Sequence, residues 1–170
     1  APAELQIDLA SRRVLAAGKV FSLPPAELAL LSVFARRALC GQPPLAAPAK
    51  EVPDGDWKAR YLVELRWIAG TFGDLDKTED ALRHGMDGGY FSAHLSKLKK
   101  ILKRELGPAA APYLISDGGS RPRRYRLALR PAAVWYGALE ATTGTQSAAT
   151  TIPPFHHSTS TCCQPATSAD

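Results

Sequence analysis

Phe91, Leu95, Leu98, Leu102 and Leu106 recur at intervals of four, three, four and four residues. At about 100° per residue they fall within about 80° of one another on a helical wheel. Such a stripe admits one reading, a helix with a single buried edge. Ala93, Ser96, Lys97, Lys100 and Arg104 fall on the opposite side, and Gly107-Pro108 ends the helix. After a short Ala/Pro linker, Tyr113-Leu114-Ile115 starts a strand and Asp117-Gly118-Gly119-Ser120 turns it. The return strand alternates Tyr125, Leu127 and Leu129 inward with Arg124 and Arg126 outward.

This helix and hairpin also carry most of the charge asymmetry. Residues 91–130 hold ten of the 21 lysines and arginines and only two acids, a net charge of +8. Residues 1–90 hold eleven basic groups and twelve acids, and the whole chain is +5. A local basic patch attracts phosphate whatever the average charge is. One basic face on an otherwise balanced domain is therefore expected.

The rest of the chain supplies the support. Leu5, Ile7 and Leu9 alternate with polar neighbours, and Val14-Leu15 and Val20-Phe21 follow after the turns Ser11-Arg12-Arg13 and Gly18-Lys19. These read as up to three short antiparallel strands that need cover on one side. Pro24-Pro25 opens a first helix with Leu28, Leu31, Ala35 and Leu39 in its stripe, widened by Leu30 and Phe34. Arg36 and Arg37 sit at its C-terminal end, where the helix dipole favours them. Residues 41–56 are rich in Pro and Ala and show neither period, so they read as a surface loop insertion. A second helix is expected over 57–71, with Tyr61, Leu65, Ile68 and Phe72 in its stripe and Trp57 and Trp67 nearby. A short third helix is expected behind a capping box made by Asp76 and Glu79, with Ala81, Leu82 and Met86 on its apolar side. Asp87-Gly88-Gly89 then breaks the chain, the glycines allowing backbone angles that other residues resist. Pro131 to Leu139 reads as a short helix or cap in which Val134 and Trp135 close the core.

A length of 170 residues suits one domain over 1–140 and leaves little room for a second. Residues 141–170 are Ser, Thr, Ala and Pro with almost no charge, too little apolar surface to offset ordering entropy, so a disordered tail is expected. No run of 18 apolar residues occurs, which argues against a membrane span. The chain starts with Ala1 and shows no signal peptide, which favours a fragment of a longer protein. Three cysteines without regular spacing, Cys40, Cys162 and Cys163, do not form a disulfide framework and fit a reducing, cytoplasmic setting.

Catalysis is not expected. Neither a Walker loop nor a dinucleotide glycine pattern occurs, and no acid, base and nucleophile can be nominated together. His84 beside Asp80 and Asp87 reads as structural or solvated. The pairs His156-His157 and Cys162-Cys163 lack the spacing with which zinc ligands converge, so neither a metal nor another cofactor is expected. Cys40, at the end of an apolar helix, reads as a small hydrophobe.

The stretch from Glu4 to Ala38 resembles the opening of the winged-helix domain of OmpR/PhoB-type response regulators. Leu23 and Glu27 match the family's Leu-x-x-x-Glu entry into helix one. Leu95, Leu98, Lys99 and Leu102 stand where its recognition helix has the corresponding residues, and Ile115 and Tyr125-Arg126-Leu127 stand where its wing begins and closes. The segment 41–56 and the wing sequence Ser120-Arg121-Pro122-Arg123-Arg124 depart from that pattern. The wording from Tyr90 to Ile115, with Phe21 to Leu30, is also similar to the C-terminal region of a CRISPR-associated protein family whose N-terminal part is a ring-nuclease-like domain. That likeness implies a missing N-terminal catalytic half.

The resemblance implies an α+β winged helix-turn-helix: a small N-terminal antiparallel sheet, three to four helices and a C-terminal hairpin wing. Its expected partner is double-stranded DNA, with protein interaction or homodimerisation as the alternative. Ser92, Ala93, Ser96 and Lys97 are placed to touch base edges, and Lys100 and Arg104 line the groove side. Ser92 and His94 are placed to hold phosphate near the helix N-terminus. Arg121, Arg123 and Arg124 are placed to reach a flanking backbone or minor groove.

Overall fold

The computed structural model describes residues 2–68, 72–119 and 121–140. The expected tail, with its His and Cys pairs, lies outside the described residues. Three strands open the chain: β1 (Leu5–Asp8), β2 (Arg13–Ala16) and β3 (Lys19–Ser22), paired as an antiparallel meander. Ala17 and Gly18 form the two-residue turn between β2 and β3, both with positive φ (50° and 75°). That conformation matches the twist of a tight hairpin.

Helix α1 (Pro25–Leu39) lies across the centre of the domain. Every residue from Glu27 to Ala35 is buried, far more than a one-sided stripe provides. The reason is that α1 is packed from several directions, by α2 (Gly55–Arg66), by α4 (Gly88–Leu106) and by the strands that follow. Phe34 of α1, Trp57 of α2 and Phe91 of α4 form one aromatic cluster with centroid separations of 5.1–6.3 Å. Cys40 caps α1 at its C-terminus and is half-buried, as a small apolar side chain at the end of an apolar helix is expected to be.

The segment after α1 is mostly exposed and irregular, as a surface loop should be, but it is anchored to the domain at several points. Leu45–Ala46 forms a short strand, β4, against Tyr125 and Arg124. Asp54 caps α2 by accepting the Trp57 N–H at 3.0 Å, and its backbone pairs with that of Met86. The Trp57 indole N–H donates to the Ala46 carbonyl at 2.8 Å. A Pro/Ala-rich stretch with no period thus folds by pairing with distant backbone. Neither period reveals such pairing.

Helix α2 ends at Arg66, earlier than expected, and Tyr61, Leu65 and Ile68 are buried as its stripe requires. Helix α3 spans Phe72–Ala81, so Phe72 belongs to it and not to α2. Asp76 and Glu79 lie within this helix, and the expected capping box does not form; these acids are part of the helix body. Gly88 and Gly89 are the first residues of α4, with no left-handed backbone. Gly88 is there for space, because a Cβ would stand 2.8 Å from the Pro48 carbonyl oxygen.

After α4, a 3-10 turn (Gly107–Tyr113) leads to the hairpin of β5 (Ile115–Ser116) and β6 (Arg124–Leu127). With β4 they form a three-stranded sheet in the order β4-β6-β5. The short helix or cap expected over Pro131 to Leu139 begins as a short 3-10 turn (Pro131–Ala133), but a strand the sequence did not signal, β7 (Val134–Tyr136), follows it. It pairs in parallel with β1 and completes a four-stranded sheet, β3-β2-β1-β7. Val134 is buried, whereas Trp135 is only half-buried. Over the described residues the architecture is mixed α+β, with four α-helices and two small sheets. Among the described residues no helix is long and apolar enough to cross a membrane.

Candidate nucleic-acid interface

Helix α4 begins where Asp87 accepts the Tyr90 N–H at 2.9 Å. Phe91, Leu95, Leu98, Ile101, Leu102 and Leu106 are buried against the core. The wheel therefore leaves an outer face of Ser92, Ala93, Ser96, Lys97, Lys100, Lys103 and Arg104, all exposed. Burial of the leucine stripe fixes which way this face points.

Acids touch the face at two places. At its C-terminal end Arg104 lies 3.5 Å from Glu105, which Lys19 of β3 also holds at 2.9 Å. The Lys19 ammonium is the main cause that keeps the Glu105 carboxyl below its ordinary range. At the N-terminal end stands Glu27 of α1, 1% exposed. Its Oε1 lies 2.8 Å from Nδ1 of His94 and 3.9 Å from Nζ of Lys97. Lys97 remains 61% exposed on its side chain, so its ammonium stays available to an outside partner.

His94 thus differs from the other expected contacts. It lies at the border of the face, half-buried, with one ring nitrogen taken by Glu27 and its ring 4.3 Å from that of Tyr90. The Tyr90 hydroxyl in turn meets that of Tyr61 at 3.0 Å, and Tyr61 donates to the Ala26 carbonyl at 3.2 Å. Burial pushes both phenols up, Tyr61 further than Tyr90, so both stay neutral through the physiological range. Glu27 is the neighbour of this face that residue patterns alone do not single out. Its signal was the Leu-x-x-x-Glu spacing, which marks the position without giving a role.

The hairpin packs beside the first turn of α4, where the Tyr125 ring meets Phe91 at 5.3 Å. Arg121, Arg123, Arg124 and Arg126 are exposed. Asp117 accepts the Gly119 N–H at 3.0 Å and lies 3.6 Å from the Arg123 Nε. The Gly119 bond, followed by the Arg123 and Arg121 charges, outweighs burial and lowers the Asp117 carboxyl. The structure therefore groups Ser92, Ala93, Ser96, Lys97, Lys100 and Arg104 on one helix face. It holds His94 at that face's edge and sets the three arginines on a neighbouring hairpin.

Trp57 and Trp67 separate cleanly. Trp57 is 1% exposed, and Trp67 is 67% exposed beside the half-exposed Val63 on the outer side of α2. Among the described residues no three His, Cys, Asp or Glu side chains gather as metal ligands. Compared with known proteins, the chain has no significant match to a family model, a curated protein or a solved structure.

Proposed function

We propose that this domain is a winged helix-turn-helix that binds double-stranded DNA and has no catalysis of its own. In this reading α4 enters the major groove and the β5–β6 hairpin serves as the wing. The observation that carries it is the outer face of α4: Lys97, Lys100, Lys103 and Arg104 are exposed together, with small residues at its N-terminal end. Ser92, Ala93 and Ser96 allow close approach to base edges, while the cations meet phosphates. The hairpin arginines extend the positive surface beyond the helix. Six or more phosphate contacts would give a steep loss of affinity with salt.

Fluorescence anisotropy with a labelled duplex at low salt tests the reading. A Lys100→Glu/Lys103→Glu variant should lose affinity by at least about tenfold while its Tm barely moves, since both side chains are exposed. Unchanged affinity in that variant would overturn it.

A second reading has one observation in its favour. Trp67 and Val63 make an exposed apolar patch, and such residues are enriched where proteins meet. It makes the domain a protein-interaction or dimerisation module. Light scattering coupled to size exclusion, run on the wild type and on Trp67→Glu, separates the two. A dimer lost on that substitution and indifferent to DNA would favour the second.

A further inference from the structure

The Glu27–His94 pair lies under the edge of the face just described and does not act as a simple phosphate clamp. Glu27 is buried, its Oε1 faces Nδ1 of His94 at 2.8 Å, and its Oε2 has no hydrogen-bond partner. With Glu27 as a carboxylate, which only accepts hydrogen bonds, the proton of the pair sits on Nδ1. That leaves Nε2 as the outward nitrogen, on a side chain 26% exposed. In the neutral ring Nε2 then carries a lone pair and repels phosphate. In the imidazolium both nitrogens are donors, and Nε2–H suits a phosphate oxygen.

We infer that Glu27 is a positioning residue that makes the His94 contact with nucleic acid proton-linked, so that duplex binding at the N-terminal end of α4 takes up a proton on His94. This rests on the DNA-binding reading above and goes beyond it by naming how one contact is regulated. Protonation turns a neutral hydrogen bond into an ion pair with a buried carboxylate and creates an anion donor on the outer side in the same step. No bond other than N–H is made, and the proton comes from solvent.

The groups facing His94 are few. Glu27 approaches from α1, Tyr90 and Lys97 lie on α4, and Tyr61 reaches Tyr90 from α2. Both tyrosines are raised by burial and remain neutral where imidazole titrates. Lys97 shares the same carboxylate at 3.9 Å. His94 is therefore the member of this cluster that joins the buried carboxylate to the outer face.

Two measurements test this on the full chain. Nitrogen-15 NMR of the histidine rings in the free protein reports the tautomer at high pH; protonated Nδ1 with bare Nε2 is expected, and the reverse tautomer overturns the proposal whatever DNA does. Affinity for a mixed-sequence duplex is then compared at about pH 6 and 8 for wild type, His94→Gln and His94→Lys. Wild-type affinity should fall roughly tenfold across that interval, while both variants stay flat and His94→Lys keeps the tighter value. A wild-type pH dependence that persists unchanged in His94→Gln, or its absence in all three, overturns the proposal and leaves the DNA reading standing. No duplex binding at either pH overturns both.

Discussion

The guanidinium of Arg36 on α1 clamps both carboxylate oxygens of Glu64 on α2, with Nη2 2.9 Å from Oε2. Glu64 is 2% exposed, Ser32 donates to it at 3.1 Å, and Arg36 lies 4.5 Å over the Tyr136 ring. One ion pair thus joins two helices to β7. Glu64→Ala should lower unfolding free energy by about 1.5–3 kcal/mol, less than for a fully buried pair, because the Arg36 left behind keeps 39% of its side chain exposed. Replacing both residues, as Arg36→Met with Glu64→Leu, should recover much of that loss. Urea unfolding of the two variants checks this.

Gly85 has a φ of +121°, and a Cβ there would stand 2.7 Å from the Asp54 amide nitrogen and 2.9 Å from the Pro53 carbonyl carbon. Both obstacles are backbone, so neither can rotate away. Gly85→Ala should cost about 2–4 kcal/mol and loosen the Asp54–Met86 pairing. Thermal unfolding measures the cost, and faster amide exchange at Asp54 and Met86 locates it.

Asp8 closes the end of β1. Burial raises its carboxyl, but hydrogen bonds with Ser11 and from the Leu139 amide, together with the Arg13 charge, prevail and hold it below its ordinary range. A depressed folded value means stability that is full well above the unfolded aspartate value of about 3.9 and is lost as pH falls below it. Asp8→Asn should therefore be less stable than wild type by about 1–3 kcal/mol at neutral pH. The gap should close on acidification, in denaturant titrations run across that range. A gap that stays constant down to strong acid would contradict the assignment.

The parts legible in the chain are those with a local period. The α4 stripe from Phe91 to Leu106 and the β1–β3 meander repeat within a few residues, so burial and side-chain spacing agree. Trp57, β4 and β7 were opaque for a different reason. The indole is buried by α1 and α4, Leu45–Ala46 is two residues long, and β7 pairs with a strand more than a hundred residues earlier. Each depends on a partner that no local pattern names. The cationic face was readable because the leucine stripe fixes its opposite side. Glu27 was not, because a carboxylate in a helix normally reads as solvated, and only the packing around α1 shows it beneath His94.

The salt dependence of duplex affinity tests the central claim most directly. Anisotropy titrations of the wild type over a range of salt concentrations should give a log–log slope of about −5 or steeper, as expected for six or more neutralised phosphates. Lys100→Gln should reduce the slope by about one, consistent with the removal of a single phosphate contact. A slope near zero in the wild type, or one that Lys100→Gln leaves unchanged while affinity stays the same, would contradict the assignment of α4 as the DNA-facing helix.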